Sequence, residues 1–203
     1  EKILQADKIL VTVGRRPATE GWGLEEMALK RNGPFIQVDS QCATSSRNVW
    51  AIGDLVGEPM LAHKATAQGE MVAEIIAGKR RRFDPMAIPG ICFTDPELVW
   101  VGSGPETPDT HYGTFPLSAN GRTLTLDAGD TGGFIRVVAN SNNRIVGIQA
   151  VGKGISELSA VFTHAVEMGS TLEDVSGMIH AHPTIGECFH DACLNTLGQA
   201  IHI

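Results

Sequence analysis

Two prolines, Pro85 and Pro89, separate two stretches of the chain with different hydrophobic patterns, and this break constrains the fold more than any other feature. The first stretch has short β-branched runs and one long helical pattern over residues 60–77, whereas the second has paired strand patterns followed by helices. Because proline lacks an N–H donor and fixes its own backbone, the break predicts a domain boundary. The pattern indicates part of an α/β domain followed by an α+β domain, a sheet covered by helices.

Each part has its own predicted elements. In the first, residues 8–13, 35–39 and 48–52 are short apolar runs that predict strands, and Gly78 follows the long helix where a C-terminal glycine is typical. We expect residues 103–114 to form a loop. The second part otherwise predicts strand pairs over 90–102 and 133–152 and helices over 157–168, 171–179 and 185–197.

The first candidate site lies where the run 48–52 ends. Asp54 follows this run closely, which places a carboxylate at the carboxyl edge of a sheet, where α/β folds bind ligands. Such a carboxylate suits a sugar hydroxyl, although it could also cap its own turn. The next helix could be an ordinary core helix, or its first N–H groups could meet an electron-rich group. The residues at its start are Met60, Leu61, Ala62 and His63.

The segment IHAHPTIGECFHDAC, residues 179–193, contains three histidines, two cysteines and a glutamate, side chains that can bind metal or take part in catalysis. Its His180, His182, Cys188 and His190 are poorly spaced for zinc, with no CxxC and no HxxxH pair, so we predict no metal site. The Cys188–Cys193 spacing suggests a redox pair, but five residues on a helix rotate two side chains apart by about 140°. We therefore expect reduced thiols, with Cys188 packing as a small apolar residue.

A second candidate site begins at His182 in the same segment. Pro183 restricts the residue before it and favours an extended His182 just ahead of a helix. Thr184 and Glu187 have the spacing of a capping box, which is the simpler role for the glutamate. The same carboxylate lies about one helical turn from the imidazole, where it could fix the histidine tautomer and raise its basicity, as in a general base with its orienting acid.

Charge and composition exclude several classes of partner. The net charge of −7 leaves no basic stripe for nucleic acid, and Lys79–Arg82 follows a helix end as a solvated turn. No run of about 18 apolar residues predicts a membrane span. Four irregularly spaced cysteines favour a reducing compartment over a disulfide framework. The chain has no initial Met or apolar leader, so we expect a piece of a longer cytoplasmic protein, or of a mitochondrial matrix protein in a eukaryote.

Four segments in order resemble the pyridine nucleotide–disulfide oxidoreductases: ILVTVGRRPAT, VWAIGDLVGEPMLAHKATAQGEMVAEIIAG, CFTDPELVWVG and HAHPTIGE. The resemblance runs from about Ala6 to Ile203. It implies the end of an NAD-binding domain over 1–34, the second segment of an FAD-binding domain over 35–86, and a dimer-interface domain over 87–203. Within the family, MLAHKA and HAHPT favour the branch that oxidises dihydrolipoamide over those acting on glutathione or mercuric ion.

The resemblance also implies roles for the candidate residues. Gly14 would lie against NAD, Asp54 would bind the ribityl chain of FAD, and the helix start at Met60–His63 would meet the flavin. His182 would be the acid–base of dithiol–disulfide exchange, with Glu187 orienting it. The implied partners are a second copy of the chain and the lipoyl domain of a 2-oxo acid dehydrogenase complex.

The chain departs from the family pattern in what it lacks. It has neither the redox CxxxxC of a C-L-N-x-G-C segment, nor the G-x-G-x-x-G motif for FAD, nor the core of the NAD domain. We therefore expect the C-terminal half of an enzyme, inactive by itself and unable to retain FAD or NAD. The alternative is a truncated, non-catalytic dimerisation or binding module.

Overall fold

A computed structural model describes residues 3–126 and 132–203 of the chain. The described residues form two compact units, the first reaching Asp84 and the second beginning at Pro85. Each unit has its own buried apolar residues. In the described ranges, no helix is long and apolar enough to cross a membrane.

The first unit contains little regular sheet. Strands β1 (Arg31–Asn32) and β2 (Phe35–Ile36) pair antiparallel as a short hairpin. The strand predicted over 35–39 is thus shortened, and the one predicted over 48–52 is reduced to an isolated bridge at Trp50. Both predictions were too long because a ladder extends only as far as its partner strand does.

The strand predicted over residues 8–13 is wrong. Its backbone pairs with no strand in the described part of the chain. The side chains are exposed, 85% for Ile9 and 94% for Val13. A β-branched run becomes a strand only when a neighbour satisfies its N–H and C=O groups, and the described residues supply no such neighbour.

Helix α1 (Ala62–Ile76) is the longest element of the first unit, and its end confirms the prediction made for Gly78. This glycine has a φ of +90°, a conformation that strains any residue with a side chain. Its N–H donates to the Ile75 carbonyl at 2.9 Å, and the Lys79 N–H donates to the Glu74 carbonyl at 2.9 Å. These two bonds form a Schellman motif. The basic run that follows is solvated, as predicted, and Lys79 also pairs with the Glu74 carboxylate at 2.9 Å.

The second unit is built on a five-stranded antiparallel sheet. The strands are β3 (Gly90–Cys92), β4 (Glu97–Gly102), β5 (Thr110–Pro116), β6 (Phe134–Asn140) and β7 (Ile145–Gly152). They lie in the order β3-β4-β7-β6-β5. Side chains alternate across the sheet: Val99 and Val101 are buried, and Trp100 between them is half exposed. The strand pairs predicted over 90–102 and 133–152 are confirmed.

Strand β5 and the short helix α2 (Gly121–Thr125) were not predicted. Most of β5 lies in the segment 103–114, where the sequence pattern indicates a loop. Gly113 interrupts its hydrophobic alternation, and an added Cβ there would lie 2.5 Å from the backbone nitrogen of Thr196. The strand is therefore recognisable by its pairing with β6, not by its own pattern.

Three helices cover the inner face of the sheet, as predicted: α3 (Ser159–Glu167), α4 (Leu172–Ser176) and α5 (Glu187–Thr196). Helix α4 begins with a complete capping box. The Asp174 N–H donates to Thr171 Oγ1 at 3.1 Å, and the Thr171 N–H donates to Asp174 Oδ2 at 2.8 Å. The caps fix where α4 starts, and the segment that follows it carries the histidines.

Candidate active site

The side chains of His182 and Glu187 contact each other directly. His182 lies in the segment between α4 and α5, and Glu187 is the first residue of α5. His182 Nδ1 lies 2.9 Å from Glu187 Oε1. Because a carboxylate oxygen only accepts, this contact assigns the ring proton to Nδ1 and leaves Nε2 as the acceptor of a neutral imidazole. The His182 side chain is 80% exposed and that of Glu187 only 20%. The imidazole is therefore accessible, whereas the carboxylate that contacts it is largely buried.

The second oxygen of Glu187 is also engaged. The Thr184 N–H donates to Oε2 at 2.7 Å. Partial burial raises the pKa of Glu187, but the hydrogen bonds from Thr184 and His182 outweigh it and hold the pKa below the usual carboxyl range. The glutamate is thus kept ionised in the state that can orient an imidazole.

The capping box predicted at Thr184 forms only in part. Its hydroxyl donates to the Ala181 carbonyl at 2.7 Å and does not cap the helix. Helix α5 begins at Glu187, and its N-cap residue Gly186 offers no side-chain acceptor. The local spacing predicted the Thr184 N–H bond correctly, but the threonine hydroxyl has a nearer acceptor in the turn before it.

The other histidines of the segment pack beside this pair. His180 Nε2 lies 3.1 Å from the Val175 carbonyl, and its ring centroid is 4.8 Å from that of His190. In the described part of the chain, no group of three or more His, Cys, Asp or Glu side chains is placed to hold a metal ion. His180 thus hydrogen-bonds to the backbone and packs against His190.

Cys188 and Cys193 are free thiols in the core, both fully buried. Burial raises the pKa of Cys188 to about 12 and also raises the pKa of Cys193. Only a thiolate is a good nucleophile, so neither sulfur is reactive near neutral pH. The predicted reduced state is confirmed, and the packing role extends to Cys193 as well.

The turn that carries Asp54 is held by two buried polar residues of α1. The Gly53 N–H donates to Gln68 Oε1 at 2.8 Å, and the Lys64 ammonium donates to the Gly57 carbonyl. Lys64 and Gln68 are 4% and 5% exposed. Sequence reasoning missed both, although polar residues on the buried stripe of an amphipathic helix were a usable signal.

Gly53 requires glycine for two reasons. Its φ is +71°, and an added Cβ would lie 3.0 Å from Ala65 Cβ. The turn can therefore lie directly on α1, and Asp54 follows in a half-buried position. Burial lowers the pKa of Lys64, and the Asp54 carboxylate opposes that shift, which places a negative charge beside the buried cation.

The predicted helix start is one to two residues later in the structure. Helix α1 begins at Ala62, and its N-cap Leu61 makes no side-chain capping bond. The N–H groups of Met60 and Leu61 already donate to Glu58 Oε2 and to the Pro59 carbonyl, each at 3.0 Å. The Met60 and Leu61 amides are therefore already engaged within the turn that precedes α1.

Gly14 is exposed and distant from the other candidate residues in sequence. It has a φ of +153°, and nothing lies within 4 Å of a Cβ built on it. This conformation favours glycine at the position.

Two family models match the chain. The pyridine nucleotide-disulphide oxidoreductase dimerisation domain matches residues 88–193, and the pyridine nucleotide-disulphide oxidoreductase model matches residues 1–69. The chain is 57% identical over 209 residues to a dihydrolipoyl dehydrogenase of Pseudomonas aeruginosa, covering 100% of the chain and 45% of the relative. It is 45% identical over 209 residues to that of Geobacillus stearothermophilus, covering 100% and 44%. The chain thus spans under half the length of these relatives.

Solved structures show the same fold at lower identity. LpdA from Mycobacterium tuberculosis has a TM-score of 0.80 and 24% identity, covering 90% of this chain and 41% of that one. The HOCl-induced flavoprotein disulfide reductase RclA from Escherichia coli has a TM-score of 0.79 and 23% identity, covering 89% and 43%. The mixed helix and sheet architecture is therefore that of these proteins.

Proposed function

Because the chain belongs to the pyridine nucleotide-disulphide oxidoreductase family, we propose that it is the C-terminal portion of a flavin-dependent dihydrolipoyl dehydrogenase. Residues 1–34 would end the NAD-binding domain, 35–86 would form the second segment of the FAD-binding domain, and 87–203 would be the dimer-interface domain. The observation that carries the proposal is the contact between His182 and Glu187, which lies in the stretch similar to the dimerisation domain.

The proposed reaction oxidises dihydrolipoamide and reduces NAD. The dithiol loses two electrons and two protons and closes to a disulfide, while NAD gains two electrons and one proton and the other proton is released. When bound, FAD would carry the electrons between a protein disulfide and NAD. That protein disulfide would lie in the part of the relatives' length that this chain does not span.

His182 would move the protons of the dithiol. Its Nε2 accepts the proton of a substrate S–H, and the resulting thiolate can attack the protein disulfide while one sulfur of that disulfide leaves. Glu187 stabilises the imidazolium formed in this step, because its carboxylate is ionised and 2.9 Å from Nδ1. The exposed ring lets a substrate thiol approach within about 2.6–3.2 Å.

The first unit would hold part of the flavin. The residues fit such a group, since a half-buried carboxylate at Asp54 suits a polyol and the positive end of the α1 dipole suits an electron-rich ring edge. Lys64 and Gln68 would position the turn that carries Asp54 through their hydrogen bonds to Gly57 and Gly53. Gly14 would approach NAD, and its φ of +153°, which favours glycine, supports the assignment.

The match to a dimerisation domain supports a homodimer. We propose that the lipoyl domain of a 2-oxo acid dehydrogenase complex carries the substrate. In a two-fold dimer the same surface is presented twice, which permits two equivalent composite sites. We propose that His182 of one subunit serves the redox disulfide of the other.

Mixed dimers of the complete protein test this proposal. A His182→Ala subunit and a subunit without the redox cysteines should each be inactive as homodimers, because each lacks one half of every site. After dissociation and re-association together, mixed dimers should regain one working site of two. Wild-type subunits taken through the same steps are the control. Verified mixed dimers without dehydrogenase activity would exclude action between subunits, and an active His182→Ala homodimer would exclude the histidine as the base.

A further inference from the structure

Asn120 joins helix α2 to the loop that carries His182. Its Nδ2 donates to the Thr184 carbonyl at 3.1 Å, although the two residues are 64 positions apart. Its Oδ1 accepts from the Thr123 N–H at 2.9 Å and from the Thr123 hydroxyl at 3.1 Å. Asn120 is only 7% exposed. A buried amide with three hydrogen bonds is held in one orientation.

The hydrogen bonds decide which end of the amide faces Thr184. A backbone N–H only donates, so the atom that faces the Thr123 N–H must be the carbonyl oxygen of the side chain. The NH₂ group is then directed at the Thr184 carbonyl. The reverse orientation would set two donors against each other at Thr123 and two acceptors against each other at Thr184.

We propose that Asn120 is a positioning residue for His182, acting through Thr184 and Glu187. Its bond holds the Thr184 carbonyl and thereby restrains the backbone of that residue, whose N–H donates to Glu187 Oε2. Glu187 Oε1 in turn accepts from His182 Nδ1. Asn120 touches neither the imidazole nor any reacting atom. That Asn120 orients the His182 ring follows from the hydrogen bonds alone. That this orientation affects turnover rests on the proposed acid–base role of His182.

The test variant is Asn120→Ser. Serine keeps a side-chain acceptor for the N-cap of α2 and removes the NH₂ donor to Thr184. The matched control is Asn195→Ser, because Asn195 Nδ2 makes the same kind of bond, to the Thr114 carbonyl at 2.9 Å, at the far end of α5. Asn120→Asp, which keeps the volume and the acceptor, is the second variant if the serine variant does not fold.

The first readout is the tautomer of neutral His182 in the 203-residue chain, from the nitrogen chemical shifts of its ring. Wild type and Asn195→Ser should show the proton on Nδ1. Asn120→Ser should show a mixture with the Nε2-protonated form, and so should Glu187→Gln, which removes the charged acceptor. A wild-type tautomer in Asn120→Ser, or the same change in Asn195→Ser, would overturn the inference.

The second readout is turnover of the complete flavoprotein. Loss of orientation should lower kcat for dihydrolipoamide about tenfold in Asn120→Ser and leave KM for NAD unchanged. Asn195→Ser should stay within about twofold of wild type. Equal kcat in both variants would overturn the catalytic part. If His182→Ala itself keeps full turnover, the proposed function fails, whereas the tautomer result still decides whether Asn120 positions the ring.

Discussion

Glu187 uses one carboxylate oxygen for His182 and the other for the Thr184 N–H. The proposed base therefore shares its orienting acid with the backbone of its own loop. A residue that could have been only a helix cap instead joins the loop conformation to the imidazole. Because the two oxygens have different partners, the T-x-x-E spacing that is typical of a helix cap also places a carboxylate against the imidazole.

Acid should weaken this pair by protonating Glu187. Although partial burial raises the pKa of this carboxyl, its hydrogen bonds lower it overall. A carboxyl with a lower pKa in the folded state stabilises the fold above its unfolded pKa, about 4.3, and that contribution is lost as pH falls through the folded value. We expect the free energy of unfolding to fall more steeply below pH ~4.3 in wild type than in Glu187→Gln. Urea denaturation over this pH range measures it, and parallel curves would contradict it.

The two buried thiols should matter for packing and not for turnover. In Cys188→Ala and Cys193→Ala the free energy of unfolding should fall by about 1–3 kcal/mol each, because each leaves a small cavity. The double variant of the complete protein should keep near-wild-type kcat, since burial leaves both sulfurs protonated. Cys92→Ala, at an exposed cysteine, is the control. A kcat loss of about a hundredfold or more would show that the pair takes part in the chemistry.

At the scale of elements, the connection from β4 to β5 depends on the close approach of the Ser103 backbone to Gly147. The sheet order places β7 and β6 between these strands, so residues 103–109 must cross both. The Ser103 N–H donates to the Val146 carbonyl at 2.8 Å, and Gln149 Nε2 donates to the Ser103 carbonyl at 2.8 Å. A Cβ on Gly147 would lie 1.8 Å from that carbonyl oxygen, so the crossing requires glycine there.

Gly147→Ala should therefore displace the crossing segment. The clash is with backbone and cannot be relieved by a rotamer change, so we expect a loss of about 3 kcal/mol in the free energy of unfolding. Gly104→Ala is the matched control, because nothing lies within 4 Å of a Cβ built there. Chemical denaturation compares the two, and equal stabilities would contradict the close approach.

At the scale of the whole molecule, the two units differ in how much core they hold. The second unit buries one cluster that joins four strands to α3, α4 and α5. The first has two small clusters, around Ile36 and around Met71, and an exposed apolar run over residues 8–13. Hydrophobic stabilisation scales with the apolar area removed from water, so we expect the second unit to have the larger free energy of unfolding.

This difference bears on what the 203-residue chain can do alone. We expect it to purify without flavin and to have no dehydrogenase activity, because it has neither a G-x-G-x-x-G cradle nor the redox CxxxxC segment. The visible absorption spectrum, and the flavin released on denaturation, measure this directly. A yellow protein with one FAD per chain would show that Asp54 and the start of α1 bind flavin without the remainder of the relatives' length.

The sequence by itself determined the features that depend on neighbouring residues. The end of α1 at Gly78, the hairpin over 133–152 and the contact of His182 with Glu187 all join positions a few residues apart. Helix and turn geometry brings such positions near one another, so their spacing along the chain is enough to predict the contact. The break at Pro85 belongs to the same class, since proline acts on its own backbone.

Only the tertiary structure decided contacts between distant positions. The bond from Asn120 to Thr184, the support of Gly53 by Gln68 and the pairing of β5 all need segments that return from elsewhere in the chain. The run over residues 8–13 shows the converse, because its strand propensity gives no strand among the described residues without a partner. Backbone and side-chain polar groups are satisfied by whichever partner the fold brings near, and local pattern does not specify that partner.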